Sequence, residues 1–489
     1  MQFWELPGPG VCLERNSKRI SALSAALVFG WFLRQMTFWQ NSICQLMEME
    51  PLQSAYPYRT ALIAIVFGAL LIATVRTLLK SCSYVAVQLN RFLPPRISWV
   101  LSAVFVGFLF LSFVNGVLAR RMLSAADTFF AGVDGLIDDG VEQPALSSAS
   151  GSPESLIAWD SIGRRGKNFI VGGPTQEQLT EFSGPAALQP LRVYVGLRSQ
   201  PTQRQRAELA LEELKRAGAF DRSLLVVATP TGTGWLDPSA VDTLEYLHAG
   251  NTAIVSMQYL YLPSWLTIMV DPNRSRDTAR ILFDEIYDHW TTLPPDSRPR
   301  LYVHGLSLGA LGSEVSADLF TIFEDPIHGA VWSGPPFASR QWRTITGERN
   351  QDTPAWLPEF RDGAMVRFTG QQNSLQEGKR WGPIRSVYIQ YASDPMVFFS
   401  PDLLFHKPDW LIGHRGPDVS PYLEWYPIVT CLQIAFDLPM ATSVPLGYGH
   451  NYSPANYLDA WIAVTAPAGW SDNQTRRLKE LFADRPLPM

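Results

Sequence analysis

The chain reads as an α/β protein with a mainly parallel sheet and helices on both faces, preceded by an α-helical transmembrane region. Three observations lead there. Beyond about residue 186, short β-rich runs alternate with amphipathic helical patterns, the signature of parallel strands joined by helical crossovers. One such junction carries Gly-x-Ser-x-Gly at Gly305, Ser307 and Gly309, between the apolar run Leu301–Val303 and a helix-like pattern at Leu311, Val315, Leu319 and Phe323. And the first 121 residues concentrate long apolar runs, one of them free of charge from Ser98 to Leu118.

That run, framed by Arg96 and by Arg120 with Arg121, has the length a bilayer-crossing helix needs, about 20 residues. Ala61 to Val75 forms a second span if Arg76 snorkels and Thr77-Leu78-Leu79 continue the helix. A third, residues 20–39, is interrupted by Arg34. Region 1–121 is therefore expected to carry two to three spans. With three, Arg15, Lys18, Arg19, Arg76, Lys80, Arg91 and Arg96 share one side, against Arg34, Arg59, Arg120 and Arg121. That bias places the N-terminus inside and the C-terminal domain outside the cytoplasmic face; with two spans the conclusion reverses.

A hydrophobic content of 46% excludes a disordered chain, and a formal net charge of -5 offers nothing for a nucleic acid. Cys12, Cys44, Cys82 and Cys431 lie far apart without a C-x-x-C, so neither a disulfide framework nor a Cys-rich metal site is expected. Residues 122–185 read as lead-in and linker, with the Ser/Gly/Pro-rich stretch Ile137–Glu154 exposed.

The globular domain then occupies 186–489. Leu191–Val195 is its first strand; Thr202 and Gln205 form a capping box for a helix stopped at Gly218. Strands follow at Leu224–Ala228 and Thr252–Met257, then a helix with Ala279, Leu282, Phe283, Ile286 and Trp290 on one face. After the Leu301 strand come strands at Gly329–Trp332 and Val387–Tyr391, and a short edge strand at Val444–Leu446. Ser453-Pro454 caps the last core helix, which runs through Val464. Between acid and base, an aromatic-rich insertion at about 396–441 would shape an apolar pocket or lid.

A strand–turn–helix around Gly-x-Ser-x-Gly is a nucleophile elbow, which holds a serine at the tip of a strained turn. A serine hydroxyl attacks only after a base takes its proton, and the base needs an acid behind it. Asp394, just past the end of a strand and before Pro395, is the best acid; Asp402, Asp409 and Asp418 are its rivals. His450, in Gly447-Tyr448-Gly449-His450, is the best base. His406 and His414 lie in the insertion, His304 belongs to the elbow strand, and His248, His289 and His328 read as structural. The oxyanion hole would combine the amide of Leu308 with one from the loop Thr229–Gly234, at Thr231 or Gly232.

Several stretches resemble bacterial alpha/beta-hydrolase family proteins with an N-terminal multi-span membrane region: Ala217–Arg222, Ala228–Trp235, Gln258–Trp265, the elbow, Ser333–Phe337, Ala392–Pro395 and Arg415–Asp418. The resemblance implies the α/β-hydrolase fold, a Ser307–Asp394–His450 triad and a multi-pass place in the inner membrane. The expected activity is cleavage of a lipid-like or other apolar acyl ester, with no metal or organic cofactor, and with the bilayer and a small-molecule or lipid ester as partners. Acyl transfer from the same serine, and a non-catalytic membrane scaffold, are the alternatives.

Overall fold

The structure, a computed structural model, describes residues 11–52, 56–113, 116, 119–316, 322–376 and 378–483. It falls into two compact units, Met1–Leu123 with Ser420–Leu423, and Ser124–Val419 with Glu424–Met489.

In the first unit lie helices α1 (Val11–Leu46), α2 (Tyr56–Leu89) and α3 (Pro95–Ser112). Among the described residues two helices are long and apolar enough to cross a membrane, Ala61–Leu89 and Pro95–Ser112. Leu62, Ile63, Val66 and Phe67 of α2 are all exposed, as on a helix that is apolar all round. The expected third span, 20–39, is part of α1, is interrupted by Arg34, and is not among these two. The charge comparison that puts the C-terminal domain outside requires three spans and reverses with two. Residues 114, 115, 117 and 118 of the Ser98–Leu118 run lie outside the described residues.

Among the described residues the second unit is organised by seven parallel strands: β1 (Leu191–Val195), β2 (Leu224–Thr229), β3 (Thr252–Met257), β4 (Arg300–Leu306), β5 (Gly329–Ser333), β6 (Val366–Thr369) and β7 (Arg385–Ile389). They lie in the order β1-β3-β2-β4-β5-β7-β6. Every residue of β2 and β3 is buried, which is why these strands read as continuous apolar runs instead of alternating ones. The helices are α4 (Ala119–Asp134), α5 (Arg164–Val171), α6 (Gln176–Ser183), α7 (Gln203–Arg216), α8 (Pro238–Leu247), α9 (Ser264–Val270), α10 (Asn273–Thr292), α11 (Leu308–Ser316), α12 (Arg340–Gly347), α13 (Pro395–Phe398), α14 (Val429–Asp437), α15 (Pro454–Thr465) and α16 (Asp472–Ala483). Of these, α7 and α11 pack on α10, while α8 and α16 pack on α15. Both expected caps form: Thr202 and Gln205 exchange side-chain and backbone bonds at α7, and Ser453 accepts from Ala455 N with Pro454 opening α15.

Three expectations are corrected. Val444–Leu446 is not a strand; Pro445 has no N–H to give, and the edge beside β7 is taken by β6, paired from Val366↔Ser386 to Thr369↔Ile389. The four-residue β6 contains Arg367, whose buried guanidinium donates to the carbonyls of Gly363, Leu375 and Lys379. Second, Phe323 sits exposed in a bend and not on the helix, whose described residues run to Ser316, and Leu319 lies outside the described residues. Third, Ile137–Glu154 is exposed over much of its length but is tied down toward its end. Ser150 and Ser152 are buried, and Gln143 Nε2 donates to Gly151 O at 2.7 Å. The segment is fastened to α7 by the buried Glu213 carboxylate, which accepts from Ser150 Oγ (3.3 Å), Ser155 Oγ (2.6 Å) and Leu156 N (3.0 Å) and pairs with Arg216 at 2.8 Å. A segment poor in apolar residues can be ordered this way because a fully shielded charge needs donors and the serines supply them.

Candidate active site

The elbow forms where β4 runs into α11. Ser307 stands between them with φ +59, a left-handed conformation that a non-glycine residue adopts at a cost of about 1–3 kcal/mol. Its N–H donates to Ser333 O at 3.0 Å, and its carbonyl accepts Leu311 N at 3.1 Å, opening the helix. The two motif glycines permit the turn by close approach: a Cβ on Gly305 would lie 2.2 Å from Gly309 C, and one on Gly309 would lie 2.2 Å from Thr229 O. Small residues are thus required where helix, strand and the β2 loop meet.

Asp394 and His450 meet. Asp394 follows β7, caps α13 by accepting Met396 N on Oδ1 at 2.8 Å, and holds His450 Nδ1 at 2.7 Å with Oδ2. The base loop is set by His450 N donating to Ala441 O at 2.8 Å, which ties it to the end of the insertion. Ser307 and His450 both border the turn after β5. Ser307 N bonds Ser333 O, and a Cβ on Gly334 (φ +51) would lie 2.4 Å from His450 Cε1. Ser307 Oγ and His450 Nε2 are buried, and neither has a hydrogen-bond partner among the described residues. The serine–histidine bond itself is therefore not made in this conformation.

The two loop amides expected for the oxyanion hole differ. Thr231 N–H closes its own turn on Trp235 O at 2.9 Å, while Gly232 N–H donates to the Ser264 hydroxyl at 3.2 Å. Leu308 opens α11, so its N–H belongs to the first turn, whose amides have no partner within the helix.

Sequence reasoning missed the scaffold behind these side chains. Asp418, a rival for the acid, does not bond His450. Its Oδ2 accepts from Ser393 Oγ (2.5 Å), Ser393 N (3.2 Å) and Gln371 Nε2 (2.6 Å), and Ser393 Oγ accepts Gly449 N at 2.9 Å. Acid loop and base loop are thereby joined. Tyr457 bonds Ser333 Oγ at 2.6 Å and also reaches Asp237, whose carboxyl burial pushes up to about 6. The signal available for Asp418 was its place in Arg415–Asp418; nothing comparable marked Tyr457. Of the other histidines, His304 is core: its Nδ1 lies 2.7 Å from Val331 O, and burial lowers its titration to about 4. His248 pairs with Thr465 Oγ1 at 2.9 Å, and the ring of His289 meets Phe220. His328 Nδ1 accepts Leu301 N at 3.1 Å.

Apolar clusters adjoin the site through Leu308, Met396 and Ala441. Leu308 and Leu311 pack with Ile268 of α9, bordered by Phe337 and Ala338. Met396 packs with Leu438 and Ala441 of the insertion, against Trp265 and Phe399. The site holds a shielded hydroxyl and a carboxylate-backed imidazole that both border the Ser333–Gly334 turn, with apolar neighbours.

A search of curated proteins finds no match to this chain. Residues 191–478 match the model of the Alpha/beta-hydrolase family, and residues 1–174 match that of the Alpha/beta-hydrolase family N-terminus. The first match takes in the sheet, the elbow and both partner loops, and it supports a hydrolase-type function: the chain belongs to the alpha/beta-hydrolase family.

Proposed function

We propose that the chain is a membrane-anchored serine hydrolase that cleaves an apolar acyl ester through an acyl-enzyme. The observation that carries this reading is the Asp394 Oδ2–His450 Nδ1 pair at 2.7 Å, with Nε2 and the Ser307 hydroxyl at the tip of a left-handed turn both without a partner among the described residues. Ser307 Oγ attacks the acyl carbonyl while its proton passes to His450 Nε2; Asp394 holds the Nδ1–H and steadies the imidazolium. The amides of Leu308 and Gly232 bind the oxyanion. Gly232 is preferred to Thr231 because its N–H meets a side-chain hydroxyl that a substrate oxygen can replace, whereas Thr231 N–H closes the backbone turn. The imidazolium then protonates the leaving alkoxide, and water repeats the sequence on the acyl-serine, releasing the acid. The apolar clusters with Ile268, Phe337, Phe399 and Trp265 argue for an apolar acyl chain, and the two membrane-length helices argue for an anchor.

Acyl transfer has one observation in its favour: both reacting atoms are shielded from solvent, which disfavours water as the acceptor. Product analysis with and without an added alcohol separates the two outcomes.

The test is Ser307→Ala in the full chain in detergent micelles, with p-nitrophenyl esters of increasing acyl length and a fluorophosphonate probe. The expected result is a loss of ~10³-fold or more in turnover and no labelling. Undiminished turnover in the variant overturns the triad, and absence of labelling in the wild-type chain favours a scaffold.

A further inference from the structure

The proposed triad leaves Tyr452 without a role, yet its hydroxyl donates at 2.6 Å to Asp394 Oδ2, the oxygen that also faces His450 Nδ1 at 2.7 Å. With Met396 N on Oδ1 at 2.8 Å, three donors converge on one carboxylate. The ring is wholly buried, stacked on Tyr391 at 4.5 Å between centroids and edge-on to His450 at 5.8 Å.

We propose that Tyr452 is a positioning residue for the Ser307 reaction, keeping Asp394 aimed at His450 and setting the basicity of the imidazole by sharing Oδ2. This rests on the Ser307–His450–Asp394 reading. A carboxylate shut away from water is stable only while donors satisfy it, and each donor draws charge from the oxygen it binds. The imidazolium formed during attack therefore faces a weaker acceptor than an unshared carboxylate would be. Removing the phenol leaves a more basic oxygen, which stabilises the imidazolium and raises the pH at which the base is lost. Burial and the Asp394 charge hold the phenol well above its ordinary titration, so it remains a donor.

The other ionisable groups nearby stand one bond further out. Tyr391 bonds Asn456 Oδ1 and Ser453 N, Tyr457 bonds Ser333 with Asp237 beyond it, and Asp418 reaches the acid loop through Ser393. Among the described residues, Tyr452 and His450 are the ionisable side chains that hydrogen-bond to Asp394.

The experiment is Tyr452→Phe in the full chain in detergent micelles, which keeps the ring and its stacking. Hydrolysis of p-nitrophenyl butyrate and the rate of fluorophosphonate labelling are followed from about pH 5 to about pH 9. kcat is expected to fall about tenfold with KM within about twofold, and the acid limb of kcat/KM and of labelling to move up by roughly half a pH unit. Should the phenylalanine variant fail to fold, 3-fluorotyrosine at position 452, a stronger donor of similar size, is expected to move the limb to lower pH. An acid limb that stays in place in whichever variant folds, with or without a loss of kcat, overturns the proposal. Ser307→Ala run in parallel keeps the two failures apart, since turnover surviving there sinks the triad, not Tyr452 alone.

Discussion

Gly309 is the position where one methyl group tests the elbow. Its Cβ would lie 2.2 Å from Thr229 O and 3.1 Å from Pro230 O, both backbone, so no side-chain rotation can absorb the clash. Restoring ordinary contact means opening that gap from 2.2 Å to 3.4 Å, so α11 must retreat from the β2 loop by about 1.2 Å. Ser307 and the Leu308 amide ride on the start of α11, and Gly232 lies on the loop it leaves. The Gly309→Ala chain is therefore expected to lose about 1–3 kcal/mol of stability by overpacking. It should also lose about 10²-fold in kcat/KM, because a shift of about 1 Å misaligns the proposed nucleophile and oxyanion donors. Thermal melting and p-nitrophenyl butyrate turnover in micelles measure the two effects. Gly347→Ala is the control, since a Cβ there meets nothing within 4 Å. Wild-type turnover and melting in Gly309→Ala would refute the close-approach account of the turn.

Glu213→Ala should cost about 3 kcal/mol and expose 137–154 to limited proteolysis, because Ser150, Ser155, Leu156 N and Arg216 lose their common acceptor. Equal protease resistance in variant and wild type would show that the segment is held by something else. Buried Glu314, which accepts from Tyr388 Oη at 3.0 Å, is pushed by burial from 4.5 up to about 8. A carboxyl raised in the folded state binds its proton more tightly there, so its contribution is full below about 4.5 and is lost as pH rises through about 8. The melting temperature of wild type relative to Glu314→Gln should accordingly fall from about pH 5 to about pH 9; a difference that does not change with pH would contradict the assignment.

Local signals carried far in this chain. Thr202 with Gln205 and Ser453 with Pro454 act within one helical turn, so their caps could be read without knowing what surrounds them. The apolar runs of β1 to β5 are likewise local, because strands buried on both faces need no alternation. Gly-x-Ser-x-Gly with its flanks marked Ser307, a strand end marked Asp394, and the glycines before it with the helix after it marked His450, whose Nδ1 lies 2.7 Å from Asp394 Oδ2. Less legible was whatever depends on partners distant in the chain. Strand β6 is short and contains a charged Arg367 whose burial is tolerated only because three carbonyls receive it. The stretch 137–154 looks unable to build a core, yet Ser150 and the adjoining Ser155 and Leu156 are held by one carboxylate on α7.

The order of elements, the elbow and the residue types able to do acyl chemistry were determined by the sequence alone, since propensity, capping and turn strain act over a few residues. Tertiary structure decided which carboxylate met the imidazole, Asp394 and not Asp418, and which strand closed the sheet. It also decided which donors shared the acid's oxygen. Those outcomes depend on long-range hydrogen bonds, where a buried polar group accepts whichever partner the packed fold brings within reach.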